Sequence, residues 1–402
     1  MAKKIIGINL CDNGSSGNLA ISILKRAQNA GFDVILATMN PTTKDIPTFN
    51  FNTSRINRQW NRFITKFLGD DGFENVANTK KLIKFLNKEK PDIVHLATLH
   101  GYSVNVRMLL NYLKTSGVKV VWTFHDCWPF TGKCVHFIYN NCQKWKTGCH
   151  DCQYIHEYPK SMFFDRTQEL YNIKKDIFMG FDNLTIVSAS NWLDEMVSLS
   201  IASKCEHIVI PNGINIEKMH GIVDSTAKYF DVTGKHLIFA AAYPWAKTKG
   251  LDIINKVAEK MGDNYHFVVA GVESRNDTVS NIERLPRIPR VEVITWMKKA
   301  SVFFNPSLQE TFGMTTIESQ AVGTPAIVIK DSGASEELII EGKTGYAVDR
   351  NDIDSMIDAI KKCCEETSKM SSECIENANR YDSGKTFSLY VELFERLTRQ
   401  IM

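Results

Sequence analysis

Glu310 and Glu318 stand eight residues apart in Asn305-Pro306-Ser307-Leu308-Gln309-Glu310-Thr311-Phe312-Gly313-Met314-Thr315-Thr316-Ile317-Glu318. The apolar run Ser301–Asn305 precedes this segment, so it reads as the passage from a strand into a helix. Eight residues at 3.6 per turn would leave two helical side chains about 80° apart, both bordering one surface. A better reading puts Glu310 in the loop and Glu318 within the helix. The backbone N–H groups of Phe312, Gly313, Met314 and Thr315 then sit at a helix start, where anions are held. Such an arrangement can grip a diphosphate between one carboxylate for sugar hydroxyls and another for ribose hydroxyls.

Lys249 lies in a second post-strand segment, Ala242-Tyr243-Pro244-Trp245-Ala246-Lys247-Thr248-Lys249-Gly250. Its ammonium is placed to reach a phosphate lying on the N-terminus of the helix that follows. The first such loop, Leu10-Cys11-Asp12-Asn13-Gly14-Ser15-Ser16-Gly17-Asn18, has glycines that permit tight turning. It is not the Gly-x-Gly-x-x-Gly fingerprint and no P-loop lysine follows, so dinucleotide or ATP binding is weakly indicated.

Three histidines also follow or end apolar runs. His95 and His100 flank the end of one run, and His125-Asp126 closes another. A histidine with a neighbouring aspartate can move a proton or hydrogen-bond sugar hydroxyls. No Gly-x-Ser-x-Gly elbow accompanies it, so a serine hydrolase triad is not indicated.

Four of the ten cysteines cluster as Cys134-x7-Cys142-x6-Cys149-x2-Cys152. Four thiolates suit tetrahedral structural zinc, the favoured reading over free thiols and over disulfides. The surrounding insert, 133–158, is polar and reads as having little apolar core of its own, so a metal cross-link would fix its shape.

The elements that must position these groups are short apolar runs alternating with helix-period stretches. The runs are Ile5–Leu10, Asp33–Met39, Ile93–Leu96, Val118–Phe124, Leu184–Ser188, Cys205–Ile210, His236–Ala241, Tyr265–Gly271, Val291–Thr295, Ser301–Asn305, Pro325–Ile329 and Gly345–Val348. Their continuous apolar character predicts parallel strands buried on both faces. Twelve strands exceed one doubly wound sheet, so 402 residues predict two α/β domains in series. The boundary is expected near 205–215, where a run ends in Pro211-Asn212-Gly213. The last stretch, Thr386–Ile401, has apolar residues at helical spacing and must dock as an amphipathic helix.

Hydrophobic residues make up 44% and charged residues 23%, which excludes disordered, collagenous and coiled-coil classes. The formal charge is only +3, arguing against a nucleic-acid partner. Residues 1–205 nevertheless carry a net +8 and residues 206–402 a net −5, so the first half is suited to something anionic. No segment reaches the apolar length of a membrane span. The opening apolar run is also shorter than a signal peptide requires, so a cytoplasmic protein with reduced thiols is expected.

Together, Pro306-Ser307 with Glu310-x7-Glu318, Pro211-Asn212-Gly213, Lys249-Gly250 and His125 resemble GT-B glycosyltransferases of family 4 over nearly the whole chain. The segment His125-Asp126-Cys127-Trp128-Pro129-Phe130-Thr131-Gly132-Lys133-Cys134 resembles a subgroup that builds bacterial surface polysaccharides of the colanic acid and capsule type. The resemblance implies two Rossmann-like domains facing across a cleft. Residues 1–207 would bind acceptor and 208–384 a nucleotide-sugar, with 385–402 returning to the first domain. It implies retention of anomeric configuration and no catalytic metal.

By the same resemblance, Glu310 would contact donor sugar hydroxyls. Ser307 would belong to the donor site, while Phe312, Gly313 and Met314 would lend backbone N–H groups. Thr315 would touch the diphosphate, Glu318 the ribose, Lys249 the diphosphate, Gly17 the donor phosphate and His125 the transferred sugar. Two positions depart from the family pattern. Tyr243 stands where an arginine is usual, and Asn215 replaces the aspartate of Pro-Asn-Gly-Ile-Asp. The alternatives are another GT-B enzyme, an epimerase or phosphorylase, and a nucleotide-sugar-binding protein without catalysis.

Residues 55–68, Arg55-Ile56-Asn57-Arg58-Gln59-Trp60-Asn61-Arg62-Phe63-Ile64-Thr65-Lys66-Phe67-Leu68, alternate basic with aromatic and apolar residues, as interfacial helices do. They suggest peripheral contact with the inner face of the cell membrane, near a lipid-linked or oligosaccharide acceptor. The competing reading is a helix packed on its own domain.

Overall fold

The computed structural model describes residues 2–223, 234–273 and 279–399. The chain divides into two compact units, Met1–Pro211 with Thr386–Met402, and Asn212–Lys385.

The first unit is built on a parallel sheet of seven strands. They are β1 (Lys4–Ile8), β2 (Asp33–Thr38), β3 (Thr48–Asn50), β4 (Ile93–Leu96), β5 (Lys119–Phe124), β6 (Leu184–Ser188) and β7 (Glu206–Val209). The spatial order is β3-β2-β1-β4-β5-β6-β7. The order reverses direction between β1 and β4, so the loops after these two strands diverge to opposite faces and leave a crevice. One face buries Ile6, Val94, Trp122 and Ile186 beneath the helices Val76–Glu89, Val106–Ser116 and Thr167–Phe178. The other buries Ile5, Val34 and Val121 against the helix Gly14–Asn29 and the C-terminal helix Ser383–Arg399. That last helix contributes Phe387, Tyr390, Phe394 and Leu397. The Tyr390 hydroxyl lies 3.0 Å from Thr123 Oγ1 in β5, which in turn is 2.9 Å from His95 Nε2 in β4.

The second unit holds a parallel sheet of six strands. They are β8 (His236–Ala241), β9 (Tyr265–Ala270), β10 (Ile282–Leu285), β11 (Val302–Asn305), β12 (Ala326–Ile329) and β13 (Gly345–Val348). Their order is β10-β9-β8-β11-β12-β13, reversing between β8 and β11. Its two apolar layers centre on Phe267 and Phe304 on one side and Phe239 and Phe303 on the other. The long helix Ile353–Asn379 covers the first layer with Met356, Ile360 and Cys363.

One expected strand is a helix. Val291–Thr295 lies inside the helix Arg290–Lys299, which Pro289 caps. Val-Glu-Val-Ile mimics strand alternation. The helix nevertheless buries Ile294, Thr295, Trp296 and Met297, and this packing outweighs the weak local penalty of β-branched residues. The strand of that region is β10, a few residues earlier. Short β3, with only three residues, also lacks a readable apolar run. No described helix is long and apolar enough to cross a membrane.

Candidate functional site

In the second unit, the loops after β8 and β11 meet at the reversal point of the sheet. Gly250 makes their contact possible. Its φ is +74°, and a Cβ there would lie 2.2 Å from the Pro306 carbonyl oxygen. The two backbones therefore approach as closely as only glycine permits. Leu308 N donates to Thr248 O at 2.8 Å and locks the junction.

Lys249, which ends a single 3₁₀ turn just before the helix Leu251–Lys260, faces the β11 loop. Its Nζ donates to Glu310 Oε1 at 2.6 Å and to Ser307 Oγ at 3.4 Å. Ser307 is buried beside the Gln309 carbonyl oxygen, at 3.2 Å. The loop after β12 pins the Glu310 backbone on both sides: its N–H donates to Ser332 O at 2.7 Å, and its carbonyl accepts from Ala334 N at 2.9 Å.

Phe312 anchors the next turn in the core, edge-on to Tyr381 at 5.7 Å. Gly313 adopts φ +97° as the cap of the helix Met314–Ala321. The first N–H groups of that helix have no intrahelical acceptor. Met314 and Thr315 therefore stand at a partly positive helix end, a few residues after Glu310, the partner of the Lys249 ammonium. Asn305 Nδ2 braces the same turn by donating to Thr316 Oγ1 at 3.0 Å.

Glu318 lies deeper in this helix and is 1% exposed. Arg290, at the start of its own helix, donates to one carboxylate oxygen. The other, Oε2, has no hydrogen-bond partner among the described residues. Burial pushes the Glu318 carboxyl above its ordinary range, and the Arg290 charge opposes that shift. The buried Ser335 hydroxyl, 3.5 Å from where a Gly313 Cβ would stand, likewise lacks a partner. Sequence reasoning missed Arg290. Arg290 sits 28 residues from Glu318, and only the sheet order joins them.

Tyr243 is half exposed at the end of β8. The Arg287 guanidinium lies over its ring, 4.7 Å from the centroid, and its hydroxyl donates to Glu273 at 3.3 Å.

In the first unit, His125 directly follows β5. Burial pushes its pKa down to about 4; Asp126 opposes this and His100 adds to it, so the imidazole is neutral near pH 7. Asp126 accepts from His100 Nε2 at 2.9 Å and from Trp128 N at 2.9 Å. Next to this pair Asp71 is buried, accepts from Gly101 N at 2.9 Å and leaves Oδ2 without a partner among the described residues. Lys174 lies 3.6 Å from the Trp128 ring centroid and donates to Trp128 O and Thr131 O. His95, by contrast, is a core histidine bonded to Thr123.

In the first loop, Gly17 belongs to the helix Gly14–Asn29, and a Cβ there would come within 2.7 Å of the Asp12 carbonyl carbon. Close packing of helix on loop thus accounts for this glycine by itself. Asp12 ties the loop to the segment after β2 through Thr42 and Thr43.

The cysteine insert departs from expectation. Cys134, Cys142, Cys149 and Cys152 line one cavity of about 220 Å³. All four are free thiols, and Gly132 N donates to Cys149 Sγ at 3.2 Å. Among the described residues, however, no group of three or more His, Cys, Asp or Glu is disposed to hold a metal ion. The zinc expectation therefore finds no support. The insert also has the apolar core that its composition disguised: Phe137 stacks on Trp145 at 4.5 Å, and both pack against Phe130. Lys133 adds three bonds, to the carbonyls of Tyr154, Ile155 and Glu157.

Two family models match the chain. "Glycosyltransferase Family 4" matches residues 16–218 and "Glycosyl transferases group 1" matches residues 230–381. Among curated relatives, the putative colanic acid biosynthesis glycosyl transferase WcaC of Escherichia coli K12 is 23% identical over 258 residues, 62% of each chain. A D-inositol 3-phosphate glycosyltransferase of Corynebacterium urealyticum is 31% identical over 28% of this chain and 27% of its own. The chain thus spans less than two thirds of either relative's length.

Among solved structures, sucrose-phosphate synthase from Thermosynechococcus elongatus superposes with a TM-score of 0.73 at 12% identity, covering 99% of this chain and all of that one. HepE of Anabaena in complex with UDP gives 0.65 at 13%, covering 98% and 100%. Both show a shared fold of two Rossmann-like domains, the GT-B architecture. By the family model over its first half and by this fold, the chain belongs to glycosyltransferase family 4.

Proposed function

We propose that the protein transfers a sugar from a nucleotide-sugar to a glycan acceptor, with retention of anomeric configuration and without a catalytic metal. The observation that carries this reading is the Lys249–Glu310–Ser307 cluster beside the start of the helix Met314–Ala321. As the glycosidic bond breaks, negative charge gathers on the leaving diphosphate. Lys249 and the N–H groups of Gly313, Met314 and Thr315 stabilise it, and they are preorganised by the glycine junction. Glu310, already held by two backbone bonds, accepts from donor sugar hydroxyls. Glu318 has one free lone-pair oxygen for ribose hydroxyls, reached once the exposed Arg290 side chain swings aside. Ser307 supports Lys249, and Phe312 fixes the turn. For Gly17 we retain approach of the first loop to the donor phosphate. His125, neutral, hydrogen-bonds the transferred sugar.

The relatives support the biological setting. One relative is named a putative colanic acid biosynthesis glycosyl transferase, and a lipopolysaccharide core biosynthesis mannosyltransferase of Rhizobium leguminosarum also matches. We therefore place the enzyme in surface-glycan assembly, at the cytoplasmic face of a membrane carrying a lipid-linked acceptor. Incubation with a panel of nucleotide-sugars, with and without acceptor, tests this. Acceptor-dependent release of nucleoside diphosphate is expected, insensitive to chelator, with an axial or equatorial product bond matching the donor. Acceptor-independent change of the sugar indicates an epimerase, and an inverted product overturns retention.

A further inference from the structure

The helix Arg55–Leu68 is turned opposite to the usual pattern of a surface helix. Its polar residues Asn61 and Thr65 are buried, and Asn61 accepts from Asn75 N at 2.8 Å. Its apolar residues at helical spacing face water: Ile56 is 82% exposed, Trp60 61% and Phe63 55%, with Phe67 beside them. Their rings form a row, Trp60–Phe63 at 6.2 Å and Phe63–Phe67 at 5.9 Å. A distant segment extends it. Phe163, 60% exposed, lies 5.0 Å from Phe67, and Phe164 lies 6.1 Å from it. This segment is held in place: Met162 N donates to Lys66 O at 2.8 Å, and buried Ser161 donates to Phe164 O at 2.5 Å. Firmly held aromatic side chains in water form a contiguous apolar ridge, which monomeric surfaces rarely keep without a partner.

The charges beside the ridge choose the partner. Residues 55–68 contain four Arg or Lys and no Asp or Glu, and Arg62 and Lys66 are exposed. A second copy docked on this face would set like charges against each other. Aromatic rings flanked by cations with long stems instead suit the headgroup layer of an anionic bilayer. We propose that this ridge seats the first unit on an anionic phospholipid surface, with Trp60, Phe63 and Phe163 entering the headgroup region. The same loop carries Tyr158, whose hydroxyl is 3.4 Å from His100 Nδ1, so the chain runs on from the ridge to His100 and its partner Asp126. That continuity rests on the functional reading above, because it would lead a lipid-linked acceptor from bilayer to site; the surface itself does not.

Sedimentation of the full chain with vesicles tests the proposal, using phosphatidylglycerol mixed with phosphatidylcholine against phosphatidylcholine alone. Wild type is expected to bind the anionic vesicles, and added salt to weaken binding. Combining Trp60→Ser with Phe163→Ser is expected to lower the affinity about tenfold or more, with circular dichroism and melting unchanged. Arg62→Glu with Lys66→Glu is expected to abolish the preference for anionic lipid. Absence of binding by wild type, equal binding by the serine variant, or a lipid-free dimer that this variant dissolves would each overturn the proposal. The serine variant keeps transfer to a soluble acceptor. Wild type that binds vesicles yet transfers nothing counts against the functional reading and leaves the docking surface standing.

Discussion

At the scale of single residues, the proposed donor site rests on one carboxylate and one ammonium held 2.6 Å apart. Both are partly exposed, with side chains 33% and 18% accessible for Lys249 and Glu310, so neither is spent on the core. Glu310→Ala is therefore expected to cut transfer by about a hundredfold or more while leaving the melting temperature near that of wild type; steady-state rates and a thermal melt check both. The Glu310–Glu318 spacing was legible because its parts are neighbours in sequence. What Lys249 faces was not. Chain order shows only the helix that follows Lys249, and its bond to Glu310 comes from a loop 61 residues away. The pairing of Asp126 with His100 was hidden for the same reason: adjacency put Asp126 beside His125, but the fold gives it to a residue 26 positions away.

At the scale of elements, the β8 and β11 loops act as one piece because Gly250 lets Pro306 lie against it. Gly250→Ala would place a methyl 2.2 Å from a carbonyl oxygen at φ +74°. A loss of roughly 2 kcal/mol, about 5 °C in melting temperature, is expected, together with slower transfer because Lys249 shifts. Differential scanning calorimetry with a parallel rate assay checks it. Most strands were readable as apolar β-branched runs, since a sheet buried on both faces demands them. Val291–Thr295 was misread because its alternation is local, whereas its helical state comes from packing Trp296 and Met297. In the cysteine insert, Phe137 and Trp145 are too few to form a periodic signal, yet stacked they fix the segment. The helix Arg55–Leu68 was legible as amphipathic. Which face it buries required knowing that Asn61 meets Asn75.

At the scale of the whole molecule, each unit has its own layered core, and the first is additionally tied by the C-terminal helix. That helix packs over His95, whose pKa burial pushes down to about 3. His125 shifts in the same direction. The unfolded chain, with histidines near 6.5, then binds more protons than the folded one. This contribution is fully present above pH 6.5 and is lost as pH falls toward 4 and 3. At pH 5 the His95 share is about 2 kcal/mol. Urea denaturation at pH 7 and pH 5 is expected to show this loss, reduced in His95→Gln after correction for that variant's own destabilisation at pH 7.

In the proposed mechanism the second unit grips a nucleoside diphosphate through Lys249 and the helix start at Gly313. Calorimetric titration of the full chain with the common nucleoside diphosphates measures this directly. At least one is predicted to bind with micromolar affinity, weakened about tenfold or more in Lys249→Ala. Binding of none of them, or equal binding by wild type and variant, would contradict it.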